Sequence, residues 1–320
     1  MFSKANSTWS KHCAAWALLN EFQSNNTCNW PMTMADIRCF VIWALQIKNL
    51  KHSTVKSYIS SIRLAHTLGE LECPNFSKDD IVKMALTGAS NIEQLSNCTS
   101  KIRPAMTINS LLVFGHKLAA TDWQQYSKQV VWAASLVSFF TSCRMGELLP
   151  AYTCSHDKNT TLLWKHVTFY EDYATIYIPY TKTKGLAGHA LDIFTFQENT
   201  CCPFSALLNL KNMSVKEGVN SSSTPVFSFL SGKNLTVKKL NEILEKMLGT
   251  LGKSSSKFTC HSFRAAIPSV IARHPDKSHT SDIMDWGEWT SPSYNLYTKF
   301  TLERKKFLFN KISGLLCDTM

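Results

Sequence analysis

The chain is 320 residues long and 44% apolar, which suits two domains, each with its own core, better than one. Lys and Arg outnumber Asp and Glu by 34 to 23, giving a formal charge of +11 and pointing to a polyanionic partner, nucleic acid ahead of a membrane surface. The opening MFSKANSTWSKH has no apolar signal core, no run approaches the ~20 apolar residues that span a bilayer, and neither repeats nor a Gly-rich phosphate loop occur. Secretion, membrane insertion and nucleotide-driven motors therefore find no support.

In chain order, the first hundred residues read as helices. Thr8 to Phe22 carries Trp9, Cys13, Trp16, Leu19 and Phe22 at helical spacing, and Thr33 with Asp36 makes a cap for a second apolar helix running to Leu45. In a third, STVKSYISSIRLAHTLG, Ser53 is the predicted cap and Gly69 the stop. Val55, Tyr58, Ile59, Ile62 and Ala65 form its apolar stripe, and Lys56, Ser60 and Arg63 stand opposite. A fourth helix is predicted from Ser77, fading before the polar run SNCTSKIRP, the best linker; residues 1–99 and 104–320 are thus the expected domains.

Helical patterns resume from Thr107 to Ala120 and through VVWAASLVSFF. Then TLLWKHVTFYE, YATIYIPYT and HALDIFTF, rich in β-branched and aromatic residues, predict a small antiparallel sheet. Helices return in LTVKKLNEILEKMLGTL, in HSFRAAIPSVIARH, where Pro268 interrupts the pattern, and twice near the C-terminus. The expected fold is mainly α with one small antiparallel β-sheet (α+β).

The 11 cysteines, odd in number and irregularly spaced, read as buried free thiols, with Cys13, Cys39 and Cys143 inside apolar helical patterns; an intracellular, reducing compartment follows. A zinc site drawn from His189, Cys201, Cys202, Cys260 and His261 fails on spacing, because no paired C-x-x-C or H-x-x-x-H occurs.

Four segments carry chemistry: TSCRMGELL, YTKTKG, CHSFR and GEWTSPSYNLYTKF. Singly, each has a plain explanation. Arg144 and Glu147 suit an ion pair one helical turn apart, His261 and Arg264 a satisfied histidine and an exposed arginine, and Trp286 a packed helix end. Their order changes the weighing. Arg-x-x-Glu, a lysine between two strands, His-x-x-Arg, then Trp289 followed eight residues later by Tyr297, resembles the tyrosine recombinase family over most of the chain. The eight-residue separation is similar to that in recombinases of eukaryotic mobile elements, the DIRS-like, Ngaro-like and Crypton groups.

This resemblance implies a helical core-binding (SAM-like) DNA-binding domain followed by a catalytic domain that cleaves and rejoins DNA through a 3′-phosphotyrosine, for integration or excision of a mobile element. It implies Arg144 and Arg264 as phosphate-gripping arginines, Glu147 as their supporting carboxylate, Lys182 as the hairpin lysine that protonates the leaving 5′-oxygen, His261 and Trp289 as further donors, and Tyr297 as nucleophile. Lys184 competes with Lys182, and Tyr294 with Tyr297. It further implies double-stranded DNA as partner, with Lys56, Ser60 and Arg63 facing it or, equally, facing solvent. No cofactor, metal or ATP is implied. A homotetramer on two DNA sites that is a monomer or weak oligomer when free, held by the segment TLERKKFLFNKISGLL unless that helix packs on its own domain, and a nuclear location complete the expectation.

The residue types suit that chemistry. A tyrosine hydroxyl has a pKa of about 10, so presenting phenolate at pH 7 costs ~4 kcal/mol unless cations or a base lower it. Guanidinium forks match phosphate oxygens bidentately as negative charge grows on them. A type IB topoisomerase uses nearly the same residues to nick and reseal one strand, and a domesticated DNA-binding protein without catalysis is a reading from another class.

Overall fold

Local capping chemistry starts most of the helices in this computed structural model, which describes residues 6–26, 28, 30–96, 104–182, 184–195, 201–249, 257–273 and 284. The chain divides into two units, Met1–Ser100 and Lys101–Met320. Among its described residues the first holds four helices: α1 (Asn6–Asn25), α2 (Met34–Gln46), α3 (His52–Leu68) and α4 (Asp80–Ser96). Thr33 and Asp36 form a reciprocal capping box at the start of α2, an arrangement that contributes about 1 kcal/mol. Leu19, Phe22, Ile37, Phe40, Val55, Ile59 and Ile62 bury their side chains in one core.

Several sequence expectations shift here. The buried face of α1 runs through His12, Ala15, Leu19 and Phe22, so Cys13 lies exposed, as does Cys39 on α2; the expectation of buried thiols fails at both. His12 takes the inward place by bonding the buried Ser61 hydroxyl of α3 at 2.8 Å, a polar pairing that apolar periodicity does not reveal. Helix α3 begins two residues earlier than a Ser53 cap would allow, with Lys51 at the N-cap and no side-chain bond. Asp79, not Ser77, opens α4: its carboxylate accepts from the Val82 N–H at 3.0 Å and pairs with Arg38 of α2.

The second unit is built around α6 (Gln125–Thr141), buried along most of its length by Val130, Val131, Ala134, Leu136, Val137 and Phe139. Against it pack α5 (Ile108–Ala119), the short α7 (Met145–Leu148), α8 (Pro203–Lys216), α10 (Cys260–Arg264) and α11 (Ala266–Arg273); α9 (Val237–Leu248) packs on α5 and α10. Strands β1 (Val167–Phe169), β2 (Tyr173–Ile178) and β3 (His189–Phe194) form one antiparallel sheet in the order β1-β2-β3. Ala174, Ile176 and Ile178 of β2 point into the core, the period-2 pattern of a sheet covered on one face. Of TLLWKHVTFYE only the last part is strand, Trp164–His166 being a turn of 3₁₀ helix. The described residues are therefore mainly helical with a small antiparallel sheet, as expected.

The expected helix through HSFRAAIPSVIARH is two helices. Pro268 offers no N–H to the Arg264 carbonyl four residues back, and the chain breaks between Arg264 and Ala266, leaving Pro268 in the first turn of α11. The short α7 and the 14-residue α8 have no counterpart among the predicted helices, while α9 falls within LTVKKLNEILEKMLGTL. The expected linker SNCTSKIRP beyond Ser96 and before Pro104, Trp286 and the two helices expected near the C-terminus lie outside the described residues.

Closure of the β2–β3 hairpin is sterically tight. Thr181 and Gly185 exchange two backbone bonds at 3.0 and 2.9 Å, and Gly188 adopts φ +56° where a Cβ would stand 2.2 Å from the Ile178 carbonyl oxygen. Gly188→Ala should therefore lower stability by about 1–3 kcal/mol, read as a shifted urea midpoint. Gly185→Ala, at φ +60° but with open space around the new methyl, should cost less; equal losses would show that the close approach is not what constrains the hairpin.

Candidate active site

The segment from Thr141 to Glu147 turns sharply between two helices. The Thr141 hydroxyl donates back to the Val137 carbonyl at 2.7 Å, and Ser142 closes α6 in the left-handed conformation at φ 53°. The chain then reverses so that Arg144 caps α7. Glu147, only 9% exposed, accepts from the Arg144 backbone N–H at 3.2 Å through Oε2 and from its guanidinium at 3.0 Å through Oε1. A guanidinium has five N–H donors; with the Arg144 side chain 34% exposed, the donors that Glu147 does not use can meet an anion.

The hairpin reaches the same carboxylate. The Lys182 backbone N–H makes a long 3.5 Å contact with Glu147 Oε1, while the Lys184 N–H donates to the Thr181 hydroxyl at 3.0 Å. Both lysines are exposed, and the anchoring of the Lys182 backbone to Glu147 is the feature that separates them.

Helix α10 supplies the rest. Its N-terminus is fixed by the Asn241 side chain of α9, which accepts from the Cys260 N–H at 2.8 Å, and its middle by Ser262, whose carbonyl accepts from Met106 N–H at 2.8 Å. Arg264, 5% exposed, donates Nη1 to the Ser142 carbonyl at 2.8 Å. His261 sits one turn earlier on the same helix with its side chain exposed. Two arginines distant in sequence thus converge on one turn: Arg264 holds the carbonyl two residues before Arg144. Trp289, Tyr294 and Tyr297 lie outside the described residues.

Cys143 lies between these charges. Burial is the main cause that pushes its thiol up to about 12, with Glu147 adding to the rise and Arg264 opposing it; burial does the same to Cys260, also up to about 12. Sequence reasoning missed Ser142, Cys143 and Asn241 as parts of the site. Ser142 acts through its own carbonyl and Asn241 on the Cys260 N–H, and no motif marks a backbone carbonyl or N–H. Among the described residues, no group of three or more His, Cys, Asp or Glu gathers as a metal-ligand set.

In the N-terminal unit, Lys56, Ser60 and Arg63 are exposed on α3 and line a groove of about 550 Å³ shared with α4. Arg63 is held there: its guanidinium stands 4.7 Å over the Phe76 ring and donates to the Ser77 hydroxyl at 3.2 Å.

By sequence, no family model and no curated protein matches the chain. Its fold does have solved relatives. The XerH site-specific recombinase, in a post-cleavage complex with palindromic difH substrate, aligns with a TM-score of 0.63 and 16% identity over 93% of this chain and 78% of that one. The Tn1549 transposon integrase in complex with transposon right-end DNA aligns at 0.57 and 11% identity over 98% and 95%. The lambda integrase bound to DNA aligns at 0.53 and 13% over 95% and 91%. The fold, mainly helical with one three-stranded antiparallel sheet, is the one that the XerH recombinase and these integrases also have.

Thiol labelling tests the packing around the arginines. At pH 8, exposed Cys13, Cys39 and Cys154 should react with a thiol reagent, while Cys143 and Cys260 should stay protected until unfolding. Because their pKa values are raised in the fold from the ordinary 9.0, the stability held below pH 9 should decline as pH rises above it. Labelling of Cys143 in the folded chain would contradict the buried arrangement of Glu147 and Arg264 around it.

Proposed function

We propose that this chain is a DNA recombinase that cleaves and rejoins strands through a covalent 3′-phosphotyrosine at Tyr297, for integration or excision of a mobile element. The observation that carries this reading is the convergence of Arg144, Glu147, the Lys182 hairpin and Arg264 on one turn, within a fold that XerH and the integrases share. In the proposed reaction Arg144 and Arg264 grip the scissile phosphate. The Tyr297 oxygen attacks phosphorus, the 5′-oxygen leaves with a proton from Lys182, and His261 and Trp289 donate to the non-bridging oxygens. One phosphodiester is exchanged for another, so bond energy is kept for religation without ATP.

Double-stranded DNA is the proposed partner, which agrees with the net charge of +11 and with the DNA complexes of the XerH, Tn1549 and lambda proteins. Assembly as a homotetramer on two sites, and action in the nucleus, belong to the same proposal.

Tyr297→Phe should abolish the covalent protein–DNA adduct formed on a nicked suicide substrate while leaving binding near the native level; a persisting adduct would move the nucleophile elsewhere, Tyr294 being first in line. Arg144→Ala should slow adduct formation by ~10²–10³, the loss of one preorganised donor to the transition state. Near-native cleavage would remove Arg144 from the clamp.

If α3 lies on the duplex, Lys56→Ala should weaken binding to all sequences alike and reduce the slope of log K against log salt by about 1. An unchanged slope would assign that face to solvent.

A further inference from the structure

Helix α4 is amphipathic twice over. One face enters the core through Val82, with Ala85 and Leu86 beside it. On another face stand Ile81, Met84, Ile92 and Leu95, whose exposures are 46%, 72%, 65% and 75%. Counted from Ile81, Met84, Gly88, Ile92 and Leu95 follow at 3, 7, 11 and 14 residues, which at 100° per residue places all five within about 80° of arc. The charged residues of α4, Asp80, Lys83 and Glu93, fall off this stripe, and each is engaged within its own chain: Asp80 with Lys83, and Glu93 with His52. Single exposed apolar residues need no explanation, but four on one stripe of a 17-residue helix form a contiguous patch.

Gly88 sits at the centre of the stripe. Glycine weakens a helix interior by about 1 kcal/mol relative to alanine. Among the described residues nothing uses the missing side chain: a Cβ placed there would meet no heavy atom within 4 Å. The stripe is also a palindrome about that residue. Ile81 and Leu95 lie seven positions to either side, and Met84 and Ile92 four, so a two-fold axis through Gly88 pairs Ile81 with the second copy's Leu95, Met84 with its Ile92, and Gly88 with itself.

We infer that two copies of this chain pair antiparallel through α4, with their backbones in closest approach at Gly88. The contact is isologous and closes at two. It sets apolar side chains against apolar side chains, brings no like charges together, and opposes the two helix dipoles. A 17-residue helix is ~25 Å long, and one such pair covers well under the ~1,600 Å² of a standard interface. Pairing of free chains is therefore weak and concentration-dependent, and it strengthens when DNA brings two chains together. This inference rests on the N-terminal unit and does not depend on the catalytic reading.

The experiment is sedimentation velocity of the full chain over a concentration series, together with cross-linking. The native chain should pass from monomer to dimer, and Met84→Glu, at an exposed position, should weaken that association at least tenfold while leaving the thermal midpoint in place. Under mild oxidation Gly88→Cys should give a covalent dimer whose linked peptide joins position 88 to itself, because close backbones there satisfy disulfide geometry, whereas Thr87→Cys, off the stripe, should not. Association unaltered by Met84→Glu, or position 88 linked to any other position of a second chain, would overturn the α4 pairing.

Discussion

Glu147 is the constraint on which the site depends. A carboxylate 9% exposed must have its oxygens satisfied, and here the partners are the backbone and guanidinium of Arg144, with the Lys182 N–H at longer range. One buried group therefore fixes an arginine and leans on a hairpin thirty-five residues away. A surface ion pair at the same spacing would contribute little and orient nothing.

The rest of the second unit serves that geometry. Helix α6 ends in a left-handed Ser142, which turns its carbonyl toward Arg264 and sends the chain back into the Arg144 cap. Helix α10 is pinned at its N-terminus by Asn241 and at its middle through Met106, so Arg264 reaches the turn from a fixed base. Pro268 then prevents α10 from running on into α11. These supports are apolar packing and backbone bonding, the means by which a polar site is held in a rigid scaffold. The fold common to XerH and the integrases is the frame that brings such distant segments together.

Much of this was legible in the sequence, for physical reasons particular to each element. The Thr33–Asp36 box is a local hydrogen-bond signal, and the structure realises it. Alternation in YATIYI gave β2, and the ordered motifs singled out Arg144, Glu147, Lys182, His261 and Arg264 before any geometry was visible. What stayed hidden depends on tertiary contacts. The inward turn of His12, which exposes Cys13, needs Ser61 from another helix, and the use of Asp79 in place of Ser77 needs Arg38. The roles of Ser142 and Asn241 were invisible for the same reason. The exposed stripe of α4 follows from its buried Val82 face, which the sequence shows only as a helix with apolar residues all around.

If Glu147 acts by holding Arg144, the two residues form one unit. The direct measurement is a double-mutant cycle of Arg144→Ala and Glu147→Ala on the single-turnover rate of adduct formation. The expected result is strong non-additivity: once Arg144 is gone, removing Glu147 should slow the reaction little further, with a coupling of about 1–3 kcal/mol. Independent, multiplying losses would show that the carboxylate does not act through the arginine, and would contradict the central place given to this pair.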